Sequence, residues 1–367
     1  MLITLIAGAR PNFMKISPII GAIRVAQAAG KKITFRLVHT GQHYDRNMSG
    51  RFFEELGIPE PDINLECGGG TQAEQTANIM IKFEADLKNH PTDLVLVVGD
   101  VTSSMACAIV AQKMHTKVAH VEGGIRSGDW SMPEEINRLV TDSITNYFFT
   151  TSAAANAHLA ASGVEPDRIF FVGNTMIDTL LQQMPRLVKP SLWDDLSLES
   201  GKYIMMTLHR PANVDEDSKL AELLSEIIKN SRGIPLIFPA HPRTAQTLQH
   251  IGVSAPNLFL TEPFGYLEFI YLIKHAKAVI TDSGGITEET TVLGIPCMTL
   301  RDNTERPETI LLGTNELLST DPRSITPALK RLFEGHWKQG SIPPLWDGNT
   351  SKRIVDQLLT LKSNNLL

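Results

Sequence analysis

Three carboxylates stand just beyond short apolar runs in the first half of the chain: Asp100 in VVGDVTSS, Glu122 in HVEGG and Glu134 in MPEEINR. Carboxyl groups gathered at one sheet edge are raw material for general acid–base chemistry. Two of the three also have an ordinary structural reading. Asp100 suits a helix cap, and Glu134 suits a helix start after Pro133, spaced to pair with Arg138 four residues on. Glu122 has no such task, because it stands between an apolar strand and two glycines.

A second set of residues suits anions. Thr281-Asp282-Ser283-Gly284-Gly285-Ile286-Thr287-Glu288-Glu289 carries an apolar strand into a glycine pair, then into a helix that stops at Gly294. Glycines let a backbone approach a ligand closely, and a helix N-terminus offers unpaired N–H groups at a positive dipole end. That suits a diphosphate; a helix capped by Ser283, with Glu288 and Glu289 favouring the dipole, explains the same letters. The opening strand runs similarly into Gly8-Ala9-Arg10-Pro11-Asn12-Phe13-Met14-Lys15, with Pro11 fitted to a first helical position. Arg10 and Lys15 oppose a helix dipole unless an anion lies beside them. In the second half, His209-Arg210 and His241-Pro242-Arg243 follow strands, as do Arg301 and Arg306 in RDNTERPE. Contact with a diphosphate or sugar suits His209, whereas a structural role suits His241 as well. No HxH or HExxH spacing occurs, so no metal is expected.

These residues need elements to position them. Apolar runs predict strands at 2–7, 33–39, 94–98, 117–121 and 169–172, then at 203–208, 235–239, 277–281 and 295–300. Continuous apolar strands alternating with helical stretches argue for parallel sheets buried on both faces. Two such series predict an α/β protein of two Rossmann-like, doubly wound domains, 1–173 and 174–349, with ligands beyond the C-terminal strand ends. The boundary is expected near Gly173–Asn174, before a helix over 175–188. A last helical segment begins at Thr350, with Ile354, Leu358, Leu359 and Leu361 in helical register. Gly68-Gly69-Gly70-Thr71-Gln72-Ala73 fits GxGxxA but follows a polar stretch, so it reads as a loop feeding a helix and not as a dinucleotide fingerprint. No P-loop or YxxxK pair is present.

The bulk properties narrow the partners. A net charge of −6 and 42% hydrophobic residues describe a soluble globular chain without a basic field for nucleic acid or an anionic membrane. Cys67, Cys107 and Cys297 are widely spaced, which argues against both a disulfide framework and zinc. Leu2 to Ala7 lacks a basic flank before it and reads as a first strand, not a signal peptide. No stretch approaches the ~20 apolar residues that span a bilayer. A cytoplasmic protein is expected.

Taken in order, GARPNFMK, TGQHYD, VVGDVTSS, HVEGGIRS, MPEEINR, TLHRPANV, FPAHPRT, TDSGGITEE and RDNTERPE resemble the non-hydrolysing UDP-N-acetylglucosamine 2-epimerases over nearly the whole chain. The resemblance implies a GT-B-like arrangement of two Rossmann-like domains with a central cleft, a last helix (350–367) packing back on the first domain, and a homodimer. It implies a UDP-sugar substrate, interconversion of UDP-GlcNAc and UDP-ManNAc through a glycal, and no redox cofactor. By motif, Asp100, Glu122 and Glu134 match the acid–base carboxylates. Arg10, Lys15 and His209 match the holders of the departing diphosphate, and Ser283, Gly284 and Gly285 match the phosphate-binding turn. Glu289 matches the ribose-binding carboxylate, Phe269 the aromatic beside uracil, and Arg138 and Arg306 further active-site arginines.

Several positions depart from the family pattern. Asn12 stands where many members carry Glu, Thr287 where Gln is usual and Gly123 where Ala is usual. Activation by a second UDP-GlcNAc, seen in some bacterial members, depends on residues that this chain does not match in Gln42-His43-Tyr44-Asp45 and Gly70-Thr71-Gln72. TGQHYD with the following MS…FF also resembles epimerases of UDP-diacetamido-uronic acids. A hydrolysing epimerase releasing ManNAc and a GT-B glycosyltransferase are the remaining alternatives.

Overall fold

Each expected apolar run becomes a parallel strand. In a computed structural model, which describes residues 1–41, 53, 55–240, 246–248 and 250–367, the strands assemble into two sheets. The first contains β1 (Leu2–Ala7), β2 (Thr34–His39), β3 (Ile63–Asn64), β4 (Leu94–Val98), β5 (Lys117–Val121), β6 (Tyr147–Thr150) and β7 (Ile169–Phe171). The second contains β8 (Ile204–Thr207), β9 (Leu236–Pro239), β10 (Leu258–Thr261), β11 (Ala278–Thr281), β12 (Cys297–Thr299) and β13 (Asn315–Leu317). Their orders are β3-β2-β1-β4-β5-β6-β7 and β10-β9-β8-β11-β12-β13. Both are the doubly wound order, which reverses between β1 and β4 and again between β8 and β11. At such a switch point the loops leaving the two central strands diverge and open a crevice for a ligand.

Burial explains the elements. All five residues of β4, LVLVV, are buried, as a strand covered on both faces requires. Val95 and Val97 pack with Ala106, Cys107 and Val110 of helix Thr102–Lys113 and with Ile79, Phe83 and Leu87 of helix Gln72–Asn89. Helix Arg10–Ala28 buries Ile16, Ile19, Ile20 and Ile23, a stripe at helical spacing. In the second unit, Met206, Phe238 and Ile280 of three neighbouring strands meet Leu220, Leu224 and Ile227 of helix Asp217–Asn230.

The chain divides into two compact units, Met1–Gln182 with Pro344–Leu367, and Gln183–Pro343. The division thus falls nine residues beyond the expected 173–174 boundary, because helix Thr175–Gln183 belongs, but for its last residue, to the first unit. Ile177 and Leu180 are fully enclosed there, and Thr179 Oγ1 donates to the Met14 carbonyl at 2.5 Å. Asp178 accepts from the Thr350 and Ser351 N–H groups at 3.0 and 2.6 Å, tying down the start of the C-terminal helix Thr350–Ser363. The helix expected over 175–188 ends early, at Gln183, and Met184–Arg186 forms a tighter turn around Pro185. Among the described residues, no helix is long and apolar enough to cross a membrane.

Candidate active site

In the first unit, a polar cluster forms where β1, β4 and β5 end. Asn12 holds the ends of β1 and β4 together. Its Oδ1 accepts from the Gly8 and Ala9 N–H groups at 3.1 and 3.0 Å, and its Nδ2 donates to the Val98 carbonyl at 2.9 Å. One turn further along the same helix, Lys15 makes a buried ion pair with Glu122. Gly99 lies beneath that pair: a β-carbon there would be 3.1 Å from Lys15 Nζ and 3.4 Å from Glu122 Oε2. Glu122 itself adopts φ +70°, a left-handed conformation that glycine tolerates and glutamate rarely adopts. A strained backbone carrying a buried carboxylate marks a position held for its side chain.

Asp100 follows β4 and receives both Nε and Nη2 of Arg138 on its Oδ2, at 3.1 and 2.6 Å. Asp100 therefore does not cap helix Thr102–Lys113, whose N-cap is Val101. The expected pairing of Glu134 with Arg138 is also absent, because Arg138 turns its Nη1 to Glu135 Oε2 at 2.8 Å. Glu135 is the structural member of the Glu-Glu pair: it accepts from the Ser127 and Gly128 N–H groups and fixes the loop after β5. Burial opposes its ionised form, but those N–H groups and Arg138 outweigh it and lower the pKa. Glu134 is half-buried, and its carboxylate has no hydrogen-bonding or ionic partner among the described residues.

Beneath this cluster, His120 Nε2 donates to the Gly99 carbonyl at 2.9 Å while Nδ1 meets Asp142 Oδ1 at 2.7 Å. Asp142 Oδ2 accepts from Gly124 N–H at 3.0 Å and from Arg126 at 2.6 Å. Burial alone would raise the Asp142 pKa, yet the His120 hydrogen bond and charge, followed by Arg126, hold it below the usual value. The Gly99 and Gly124 backbones, on either side of Glu122 in the cluster, are thus anchored from below.

In the second unit, the cluster lies where β8 and β11 end. The Asp282 carboxylate is fully buried and accepts from the His209 and Arg210 N–H groups, at 3.0 and 2.9 Å on Oδ2, and from Asn213 Nδ2 at 3.0 Å. His209 Nδ1 is 2.8 Å from Asp282 Oδ1, although the ring is 62% exposed. Burial opposes ionised Asp282, and His209, Arg210 N–H and Asn213 overcome it, so the pKa is lowered. Ser283 precedes helix Gly284–Leu293 but its hydroxyl makes no cap hydrogen bond, contrary to the capping alternative. Glu288 and Glu289 do not serve the dipole in the first turn either. Glu288 pairs with Arg306 at 2.5 Å, and Glu289 accepts from the Tyr266 hydroxyl at 3.0 Å. Complete burial, then the charge of Glu288, push the Glu289 pKa up to about 8 against the pull of Tyr266. Phe269 is half-buried on helix Tyr266–His275.

Asp100, Glu122, Lys15 and Arg138 therefore meet at one sheet edge, and His209, Ser283, Gly284, Gly285, Glu289 and Arg306 occupy the strand ends and helix of the other unit. Arg10 opens helix Arg10–Ala28, but its side chain lies outside the described residues, as do His241, Arg243 and Gln42-His43-Tyr44-Asp45. The cation set read for anions is changed in one respect, since Lys15 faces a carboxylate. His120, Glu135, Asp142, Tyr266 and Asp282 were not singled out by sequence, and Asn12 only as a departure from the family pattern. Only Asp282 had a local signal, as the acid directly before a strand-to-glycine turn. Among the described residues, no three His, Cys, Asp or Glu side chains gather to hold a metal ion.

Two doubly wound sheets, one edged with buried carboxylate–cation pairs and the other with a glycine turn at a helix start, define an α/β protein with polar clusters at its switch points. The family Epimerase_2, described as UDP-N-acetylglucosamine 2-epimerase, matches residues 26–359. A UDP-N-acetylglucosamine 2-epimerase of Methanocaldococcus jannaschii is 39% identical over 97% of this chain and 98% of its own length. A crystal structure from that organism, in complex with UDP-GlcNAc and UDP, superposes with a TM-score of 0.86, covering 98% of this chain and 100% of its own, at 39% identity. A UDP-2,3-diacetamido-2,3-dideoxy-D-glucuronate 2-epimerase of Pseudomonas aeruginosa is 37% identical over 98% of this chain and 100% of its own length. The chain belongs to the UDP-N-acetylglucosamine 2-epimerase family.

Proposed function

We propose that the chain inverts C2 of UDP-N-acetylglucosamine to give UDP-N-acetylmannosamine, by elimination and readdition of UDP. The observation that carries this reading furthest is the strained, buried Glu122 held against Lys15 beside the Asp100–Arg138 pair. A proton at C2 beside an acetamido group is not acidic, so direct deprotonation is slow. Departure of UDP changes that. The C1–O bond breaks with its electron pair on the β-phosphate, C1 gains positive character, and the C2 proton passes to a carboxylate as the C1–C2 double bond forms. Readdition of UDP to C1 and of a proton to the opposite face of C2 completes the inversion. The reaction is redox-neutral and calls for no nicotinamide.

Asp100, Glu122 and Glu134 are the acid–base carboxylates of this proposal. Arg10 and His209, with the N–H groups of the Ser283-Gly284-Gly285 turn, stabilise charge on the departing diphosphate, and Lys15, paired with Glu122 in the empty protein, joins them when Glu122 is protonated. Glu289 takes the ribose hydroxyls and Phe269 lies beside uracil, while Arg138 and Arg306 orient the carboxylates next to them. Strand-end placement, the two ion pairs and the family relationship support these assignments. A cytoplasmic homodimer belongs to the same reading, supported by the motif resemblance and by three buried free thiols.

The Pseudomonas relative supports a second substrate, a UDP-diacetamido-glucuronate. Incubation with each sugar nucleotide, followed by proton NMR, separates the readings. UDP-ManNAc from UDP-GlcNAc is expected, and Glu122→Gln is expected to bind UDP normally while turning over at least about 100-fold more slowly. Conversion of the uronate alone transfers the proposal to the second sugar. Free ManNAc would mean a hydrolysing enzyme, and near-normal turnover by Glu122→Gln removes Glu122 from the chemistry.

A further inference from the structure

One carboxylate in the second unit occupies a place suited to a phosphate. Glu305, in the loop after β12, is nearly enclosed, and its Oε2 accepts from buried Arg301 at 2.5 Å. Its other oxygen, Oε1, lies over Gly284 at the start of helix Gly284–Leu293; a β-carbon at Gly284 would be only 3.0 Å from it. Arg210, whose backbone N–H is held by Asp282, places Nη2 3.9 Å from the same oxygen. A helix N-terminus and two guanidinium groups thus surround one carboxylate, Arg301 on Oε2 and Arg210 with the glycine helix start beside Oε1. The dipole and both cations favour negative charge there.

We propose that Glu305 is a resident counter-ion standing where an oxygen of the substrate diphosphate binds, and that it sets the affinity for that diphosphate by having to yield its place. The proposal rests on the reading of this turn as the UDP site. In the empty protein Glu305 neutralises Arg301 and Arg210, which would otherwise face one another as like charges. An incoming diphosphate brings two or more negative charges to the same spot, so Glu305 must swing away or repel it. Affinity for the nucleotide is thereby held down, which keeps release fast.

The test compares titration calorimetry of UDP and of uridine on the wild-type protein and on Glu305→Gln, which keeps an acceptor for Arg301 but removes the charge. UDP is expected to bind about 10-fold more tightly to Glu305→Gln at low salt, with a smaller gain at high salt, and uridine to bind both proteins alike. Unchanged or weaker UDP binding by Glu305→Gln overturns the proposal and makes Glu305 a support for Arg301. Failure of the wild-type protein to bind UDP overturns the nucleotide reading, and this proposal with it. A crystal structure of wild-type protein with UDP tests the same point without a variant. A phosphate oxygen over Gly284 with Glu305 displaced is expected, and Glu305 still over Gly284 contradicts the proposal.

Discussion

Glu289 is enclosed by its own helix and by Tyr266, with Glu288 beside it, and its carboxyl keeps its proton up to a pH of about 8. A carboxyl that holds its proton more tightly folded than unfolded contributes stability that is whole below the ordinary value of 4.5 and is lost as the pH rises through about 8. The empty protein is expected to melt a few degrees lower at pH 9 than at pH 6, and Glu289→Gln should remove most of that slope. The same slope in the variant would place its origin elsewhere. Residues of this kind were only half legible in the sequence. Glu122 stood out because no local task explained it, but its partner Lys15 is 107 positions away. Glu134 and Glu135 are indistinguishable as letters. Only the loop that reaches back to Glu135 tells the two apart.

At the scale of elements, the nine expected strands are all present, because LVLVV and its counterparts are largely apolar and are closely followed by glycine, proline or charge. Four strands went unread, each for a physical reason. β3 is two residues long, and β13 is the polar triplet NEL. β10 is an edge strand with no fully buried residue, which leaves its pattern weak. β6, YFFT, follows helix Pro133–Ile144 after two residues without a glycine or proline to mark the turn. The misplaced boundary has a similar cause, since capping of the last helix by Asp178 spans 172 positions. That contact joins two distant elements of the first unit. Asp178→Ala should lower stability by about 2 kcal/mol in urea unfolding, because three donors lose their acceptor. It should also hasten amide exchange in Thr350–Ser363 ahead of the other helices. An unchanged midpoint and unchanged exchange would show that apolar burial of Trp346, Ile354 and Leu358 alone holds the segment.

At the scale of the molecule, the same strand order is built twice, and each copy presents a different chemistry at its switch point. The first carries carboxylates paired to cations; the second carries N–H groups, arginines and an exposed histidine. With a net charge of −6, the chain can attract a diphosphate only through such local clusters. The proposed elimination and readdition of UDP calls for both kinds of group, one to move a proton and one to steady a leaving anion. Its most direct test is isotopic. With UDP-GlcNAc in D₂O, UDP-ManNAc is expected to form with deuterium at C2 and the recovered UDP-GlcNAc to gain deuterium there too; epimerisation that keeps the original hydrogen at C2 would overturn elimination and readdition.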